Sequence, residues 1–196
     1  MPMLADVGAV GFDLDMTLVD SRPVSRRALE RLAAEPGQDL DVEALMSVYG
    51  LPLSQWLPVG VDDARFRSLQ LQNISSAASM PGALSAVEAV RQFGARVVVV
   101  ISAPAAIATK MLQAVGLSVD RLRTDVWAAG KVGPLHEERC WAFVGDHADD
   151  MLAARHAEAI AIGVATGTSP PKGADVELDD LTGFPTWLAN QRASKR

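Results

Sequence analysis

Near the start of the chain two carboxylates stand one residue apart, Asp13 and Asp15, at the end of an apolar run that begins near Val7. Residues two apart on an extended chain project to the same side, so both can face one site. Such a pair suits nucleophilic attack, general acid/base work or the holding of a cation. A second acidic group, Asp146, Asp149 and Asp150, follows the apolar run Trp141 to Gly145. Two like charges ~4 Å apart repel by about 4 kcal/mol at an effective dielectric near 20. A site joining these carboxylates therefore requires a cation or raised pKa values. A hard divalent ion with oxygen ligands, most simply Mg²⁺, meets that need. Asp146 and Asp150 lie one helical turn apart and reach the same point if a helix starts near His147. Asp149 points elsewhere on that helix, where the positive N-terminus favours an acidic side chain.

Two further polar residues sit where a phosphoryl group could be held. Ser102 ends the run Val97-Val98-Val99-Val100-Ile101, followed by Ala103. Lysine is scarce, only Lys110, Lys131, Lys172 and Lys195. Of these Lys131, between Gly130 and Gly133-Pro134, occupies a loop or helix start from which an ammonium can reach a phosphoryl oxygen. His147 follows Asp146 and reads as a polar residue of a first helical turn. His136 and His156 read as surface or partly packed, and Cys140 as a small core residue.

The elements that must position these groups alternate as in an α/β sandwich. Strands are expected over about Val7 to Asp13, Arg96 to Ser102, Trp141 to Gly145 and Ala159 to Val164. Helices are expected over Ala83 to Phe93, Ala105 to Val115, Met151 to Ala157 and Leu181 to Asn190. The strands are apolar almost throughout, which suits a parallel sheet covered on both faces, and ligands of such sheets sit beyond the carboxyl ends of the strands. Between the first and second strands the pattern is helical only: Arg22 to Ala34 with Pro23 at an early position, Asp41 to Tyr49, a Pro-bounded segment Leu51 to Pro58 carrying Trp56, and Asp63 to Ile74. Ser75 to Ser79 reads as a return hinge.

At 196 residues with 49% hydrophobic and 21% charged residues, the chain has the composition of a globular protein with one sizeable core. A net charge of -6 argues against a nucleic-acid or anionic-membrane surface, and the basic tail Arg192 to Arg196 reads as a solvated terminus. A single cysteine and no leader-like N-terminal segment lead to the expectation of a reducing, cytoplasmic setting. No apolar stretch approaches the ~20 residues that span a bilayer.

Asp13-Leu14-Asp15-Met16-Thr17-Leu18-Val19-Asp20 resembles the first motif, Asp-x-Asp-x-Thr/Val, of the haloacid dehalogenase superfamily. Ser102, Lys131 and Gly145-Asp146-x-x-x-Asp150 fall in order where its other three motifs belong. Pro81-Gly82, Ala159 to Gly167 and Gly50-Leu51-Pro52-Leu53 are similar to its phosphoglycolate-phosphatase-like branch. Two departures stand out: Pro104 close after Ser102, and Gly133-Pro134, which shortens the helix expected after Lys131. The resemblance implies a Rossmann-like, three-layer α/β core formed by residues 1–19 and 80–196, with a small helical cap, residues 20–79, inserted after the first strand.

It further implies a Mg²⁺-dependent phosphatase acting on a small phosphomonoester. Asp13 would be nucleophile and metal ligand, and Asp15 proton carrier, lending its backbone carbonyl to the metal beside Asp146 and Asp150. Ser102, Ala103 and Lys131 would hold the transferring oxygens, with Thr17 supporting the turn. Cap residues Tyr49, Trp56, Arg65 and Arg67 are the candidate substrate contacts. Two alternatives share the same residues, a phosphomutase and a phosphoacceptor domain resembling a receiver.

Overall fold

The computed structural model describes residues 7–168 and 170–193; the end of the basic tail, from 194 onward, lies outside them. The first strand, β1 (Ala9–Phe12), is buried at every residue, as a central strand of a two-sided sheet must be. The chain then makes a tight turn. The Leu14 carbonyl accepts from the amides of Thr17, Leu18 and Val19, and Met16 takes a left-handed conformation with φ 60°. A two-residue strand β2 (Val19–Asp20) leads into helix α1 (Arg22–Ala33), whose buried face is Val24, Ser25, Ala28, Leu29 and Leu32.

The insert continues with α2 (Val42–Ser47), the single turn α3 (Leu53–Trp56) and α4 (Asp63–Gln72). Aspartates cap α2 and α4: the Asp41 carboxylate accepts from the Ala44 amide, and that of Asp62 from Ala64 and Arg65, satisfying amides that have no partner within the helix. A 3₁₀ turn, Ile74–Ser76, precedes β3 (Ala78–Ser79), which pairs antiparallel with β2 so that Val19 faces Ser79 and Asp20 faces Ala78. The segment expected as a plain hinge is thus half of a two-stranded stem through which the insert both leaves and returns.

Helix α5 (Ala83–Phe93) opens at Gly82 and stops at Gly94, both left-handed. Gly82 is required twice over, since a Cβ there would also lie 2.3 Å from the backbone of Leu181 and Thr182. Then follow β4 (Arg96–Val100), α6 (Ala105–Ala114), β5 (Arg121–Arg123), a 3₁₀ turn Ala128–Lys131 and α7 (Val132–Glu137). The chain closes with β6 (Cys140–Gly145), α8 (Ala148–His156), β7 (Ile160–Val164), β8 (Val176–Leu178) and α9 (Phe184–Ala193). Two sheet strands, β5 and β8, have no counterpart in the sequence reading, and α8 begins three residues before the expected Met151.

The main sheet is parallel throughout, in the order β5-β4-β1-β6-β7-β8. Counted among themselves its strands run 3-2-1-4-5-6, the doubly wound order whose ligand crevice opens where the winding reverses. Here that point lies between β1 and β6, the strands that deliver Asp13 and Asp146. The larger hydrophobic core takes in Phe12, Val99 and Val144 of the sheet together with Tyr49, Trp56, Phe66 and Leu69 of the insert. Trp56 stands edge-on to Tyr49 and to Phe66, with ring centroids 5.2 and 5.5 Å apart. Among the described residues, no helix is long and apolar enough to cross a membrane.

Candidate active site

The amide of Asp13 donates to the Val144 carbonyl at 2.8 Å, carrying the β1–β6 ladder one residue past the strand and fixing the nucleophile candidate against the neighbouring strand end. Carboxylate oxygens of Asp13, Asp146 and Asp150 lie within 4.8 Å of one another. Lys131 reaches in from its 3₁₀ turn, 2% exposed. Its Nζ donates to Asp13 Oδ1 at 2.6 Å and to Asp150 Oδ1 at 2.7 Å. Thr17 supports the same cluster, its Oγ1 donating to Asp146 Oδ1 at 3.4 Å, and the Thr166 hydroxyl ties the loop after β7 to the Met16 carbonyl.

The electrostatics of the cluster are set by burial and by like charges held close together. Burial pushes the Asp13 carboxyl well above the ordinary carboxylate range, Lys131 pulls it back, and Asp150, Asp146 and Asp15 push it up again. Burial and the adjacent Asp150 raise Asp146 to about 7. Burial also acts against the Lys131 ammonium, but Asp13 and Asp150 outweigh it and hold its pKa above the usual lysine value. One ammonium thus faces three converging carboxylates.

The backbone is shaped to those carboxylates as well. A Cβ at Gly167 would fall 2.3 Å from Asp146 Oδ2, and one at Gly145 would fall 2.5 Å from Asp150 Oδ2 and 2.6 Å from Asp150 Cβ. Three hard oxygen donors, a surplus of negative charge and two glycines that make room for the ligating groups fit a divalent cation. The Asp15 carboxylate is not among the converging three. It is half-buried, its Oδ1 lacks a hydrogen-bond partner, and burial raises its pKa while the Ser21 hydroxyl and Lys131 lower it.

A cavity of about 340 Å³ opens over the cluster, walled below by Asp13, Asp15, Ser102, Ala103, Lys131 and Asp146, and above by insert residues including Tyr49, Trp56 and Arg67. Of the four insert residues expected to contact substrate, Arg65 is misplaced. It lies two positions from Arg67 on α4, so it projects to another side of the helix, where its Nε donates to Glu35 Oε1 at 2.7 Å and it takes no part in the cavity wall. Trp56 and Tyr49 line the cavity but are 5% and 7% exposed. Their polar atoms turn inward, the Trp56 indole N–H to the Leu45 carbonyl at 2.6 Å and the Tyr49 hydroxyl to Ser21 at 2.7 Å.

Trp127, at the entrance to the Lys131 turn, was not anticipated. Its ring stands 5.6 Å from that of His147 and 6.0 Å from Lys131 Nζ, and all three line the cavity. An isolated tryptophan in a loop carries no periodicity that could have pointed to it. His147 caps α8, its Nδ1 accepting from the Asp149 amide at 3.2 Å, as a first-turn residue should.

No protein-family model and no curated relative matches the chain. Solved structures do. A haloacid dehalogenase-like hydrolase from Streptococcus pneumoniae superposes with a TM-score of 0.78 at 17% identity, over 92% of this chain and 98% of that one. A protein from Thermotoga maritima assigned as a β-phosphoglucomutase gives 0.74 at 19% identity, over 94% and 99%. One from Haemophilus somnus assigned as a phosphoglycolate phosphatase gives 0.70 at 18%, over 94% and 99%. By its architecture, strand order and inserted helices, the chain has the haloacid dehalogenase-like fold.

Proposed function

We propose that this chain is a Mg²⁺-dependent phosphatase that hydrolyses a small phosphomonoester, such as phosphoglycolate or a related phosphorylated metabolite, through an aspartyl phosphate on Asp13. The observation that carries the reading is the convergence of Asp13, Asp146 and Asp150 around buried Lys131 at the point where the sheet reverses its winding.

Asp13 attacks phosphorus in line with the ester oxygen, one carboxylate oxygen forming the new bond while the alkoxide departs. Lys131 keeps the attacking carboxylate aimed and, with the Ser102 hydroxyl and the Ala103 amide, receives the charge on the transferring oxygens. Asp15 protonates the departing alkoxide, then removes a proton from the water that cleaves the acyl phosphate. Its raised pKa and free Oδ1 suit both duties. Mg²⁺ held by Asp13, Asp146, Asp150 and the Asp15 carbonyl would supply the charge that offsets repulsion between nucleophile and phosphate. The insert, residues 20–79, acts as a cap that excludes water and selects the ester, with Arg67 reaching the non-reacting end.

The test is release of inorganic phosphate from a panel of phosphorylated metabolites in Mg²⁺. Asp13→Asn should abolish turnover with the fold intact, and a chelator should do the same to the parent protein. Phosphate release by Asp13→Asn would overturn the mechanism. A phosphomutase built on the same residues is favoured by the likeness to the Thermotoga protein. It would return an isomerised phosphate ester where the hydrolase returns free phosphate.

A further inference from the structure

Of the four tryptophans, Trp56, Trp141 and Trp187 belong to or pack against the larger hydrophobic core, whereas Trp127 joins neither hydrophobic cluster of the described residues. It is half-buried and lines the cavity over the acidic cluster. A large aromatic ring ordinarily buries its area in a core or an interface. The surface that Trp127 leaves uncovered borders a cavity, where a ligand can cover it.

The segment that presents the ring is held in place. The Asp125 amide donates to the Ala103 carbonyl at 3.3 Å, the Val126 amide to that of Ile101 at 3.2 Å, and the Gly130 amide to that of Trp127 itself at 2.8 Å. Trp127 is thereby fastened to the loop that carries Ser102. Asp125 and Ala128, which bracket it, take left-handed backbone with φ 61° and 46°. Aspartate tolerates that region, whereas alanine is strained there by its Cβ. Such strain persists where the surroundings over-determine it, and it clusters at ligand sites.

The ring also stands beside the place of reaction. Lys131 Nζ lies over the indole at 6.0 Å while donating to Asp13 at 2.6 Å, and the His147 ring adjoins it at 5.6 Å with a 49° tilt. A bulky group joined closely to the reacting phosphate therefore comes against Trp127. The insert adds Leu51, Pro52 and Leu53 to the same cavity, which gives such a group apolar surface on a second side. At about 340 Å³ the space lies in the range of pockets that enclose drug-sized ligands, and it exceeds what phosphoglycolate fills.

We infer that the alcohol carried by the phosphate bears a flat unsaturated ring, aromatic or heteroaromatic, and that Trp127 selects it by ring-to-ring packing. The inference rests on the phosphomonoester hydrolase proposed above and narrows its substrate class. Aromatic pairs settle offset or edge-on at centroid distances of about 4.5–7 Å and gain beyond the area they bury. A saturated ring of the same size fills the same space without that gain.

Benzyl phosphate and cyclohexylmethyl phosphate, both esters of primary alcohols and nearly equal in size, differ chiefly in the flat π-face. Their kcat/KM values would be measured in Mg²⁺ on the parent protein, Trp127→Phe and Trp127→Leu. The parent should favour the benzyl ester by about 3- to 10-fold, in line with what an aromatic pair adds beyond buried area. Trp127→Phe should keep most of that preference, and Trp127→Leu should bring it near unity. Comparing the ratio between proteins cancels the intrinsic reactivity of the two esters. Equal turnover of both by the parent, or a preference that survives in Trp127→Leu, would overturn the inference and leave the hydrolase standing. Release of phosphate from no ester would instead overturn the hydrolase reading.

A second measurement needs no turnover. Benzylphosphonate and cyclohexylmethylphosphonate, which carry no ester bond to cleave, would be titrated calorimetrically in Mg²⁺. The benzyl compound should bind more tightly to the parent by the same factor and lose its advantage in Trp127→Leu. Equal affinities, or binding of neither compound, would refute the assignment of Trp127.

Discussion

Replacing Gly167 by alanine tests whether the acidic cluster is a cation site. The new methyl carbon would stand 2.3 Å from Asp146 Oδ2 and 3.2 Å from Asp146 Cγ, where ordinary contact begins at 3.4 Å. The carboxylate oxygen must therefore retreat by about 1 Å, a misplacement that can cost on the order of 10²-fold in a reacting site. Asp146 can make most of the move, because the atom at 2.3 Å is the far end of its side chain and its hydrogen bond from Thr17 is already long at 3.4 Å, while its backbone oxygen, 3.2 Å from the new methyl, need give only a few tenths of an ångström. The fold should survive while the ligand set loses its geometry. Mg²⁺ affinity measured by calorimetry should fall about 10- to 100-fold, roughly 1.4 to 2.7 kcal/mol, with turnover recovering at high Mg²⁺. Gly145→Ala is the contrasting case. Its methyl would meet Asp150 at Cβ, 2.6 Å away, a point that moves only with helix α8, so thermal stability should drop by about 1 to 3 kcal/mol along with metal binding. If Gly167→Ala bound Mg²⁺ as tightly as the parent, Asp146 would not be a ligand and the cation site would have to be redrawn.

In chelator the protein should become less stable as pH rises. Asp146 stands near 7 in the fold against 3.8 unfolded, so between those values the folded state binds the extra proton; the favourable contribution present below pH 4 is lost on passing 7. Melting temperatures at pH 5 and pH 8 in EDTA check this, and a flat or rising profile refutes it. Cys140, buried in β6 with its thiol pushed up to about 12 by burial, should ignore thiol reagents in the native state. At pH 8 only about one molecule in 10⁴ carries the thiolate, and stoichiometric labelling within minutes in buffer would contradict its packing. Arg67→Ala should raise KM about 10- to 100-fold for esters with a second anionic group and less for those without, in line with roughly 1.5 to 3 kcal/mol for a hydrogen bond to a charged group. Arg65→Ala breaks an outward pair with Glu35 and should leave KM alone and stability within about 1 kcal/mol.

Much of the site was legible because its residues sit at the ends of strongly apolar strands. Val97 to Ile101 and Trp141 to Gly145 declare themselves by composition, and the polar residue that follows each is then a strand-end residue by position alone. What escaped was short or depended on packing. Arg121-Leu122-Arg123 and Val176-Glu177-Leu178 are three-residue edge strands, too brief for alternation to register, and the stem strands are shorter still. Arg65 and Arg67 are the same residue type on one helix, and only the position of Glu35 shows which of them faces away. Tyr49 was noticed for its size, whereas the direction of its hydroxyl depends on Ser25 of α1 and on Ser21 just before that helix.

The stem formed by Val19–Asp20 and Ala78–Ser79 also bears on how the chain folds. β1 must find β4, its parallel partner, across the whole insert, and long-range pairings of that kind carry a closure entropy that slows folding. Once Val19 and Ser79 pair, the insert becomes a side loop, and β1 and β4 are separated along the shortened path by little more than α5. In the native chain the closure of the insert is thus concentrated at the stem, and the strands that deliver Asp13 and Ser102 stand nearly local to one another along the path through it.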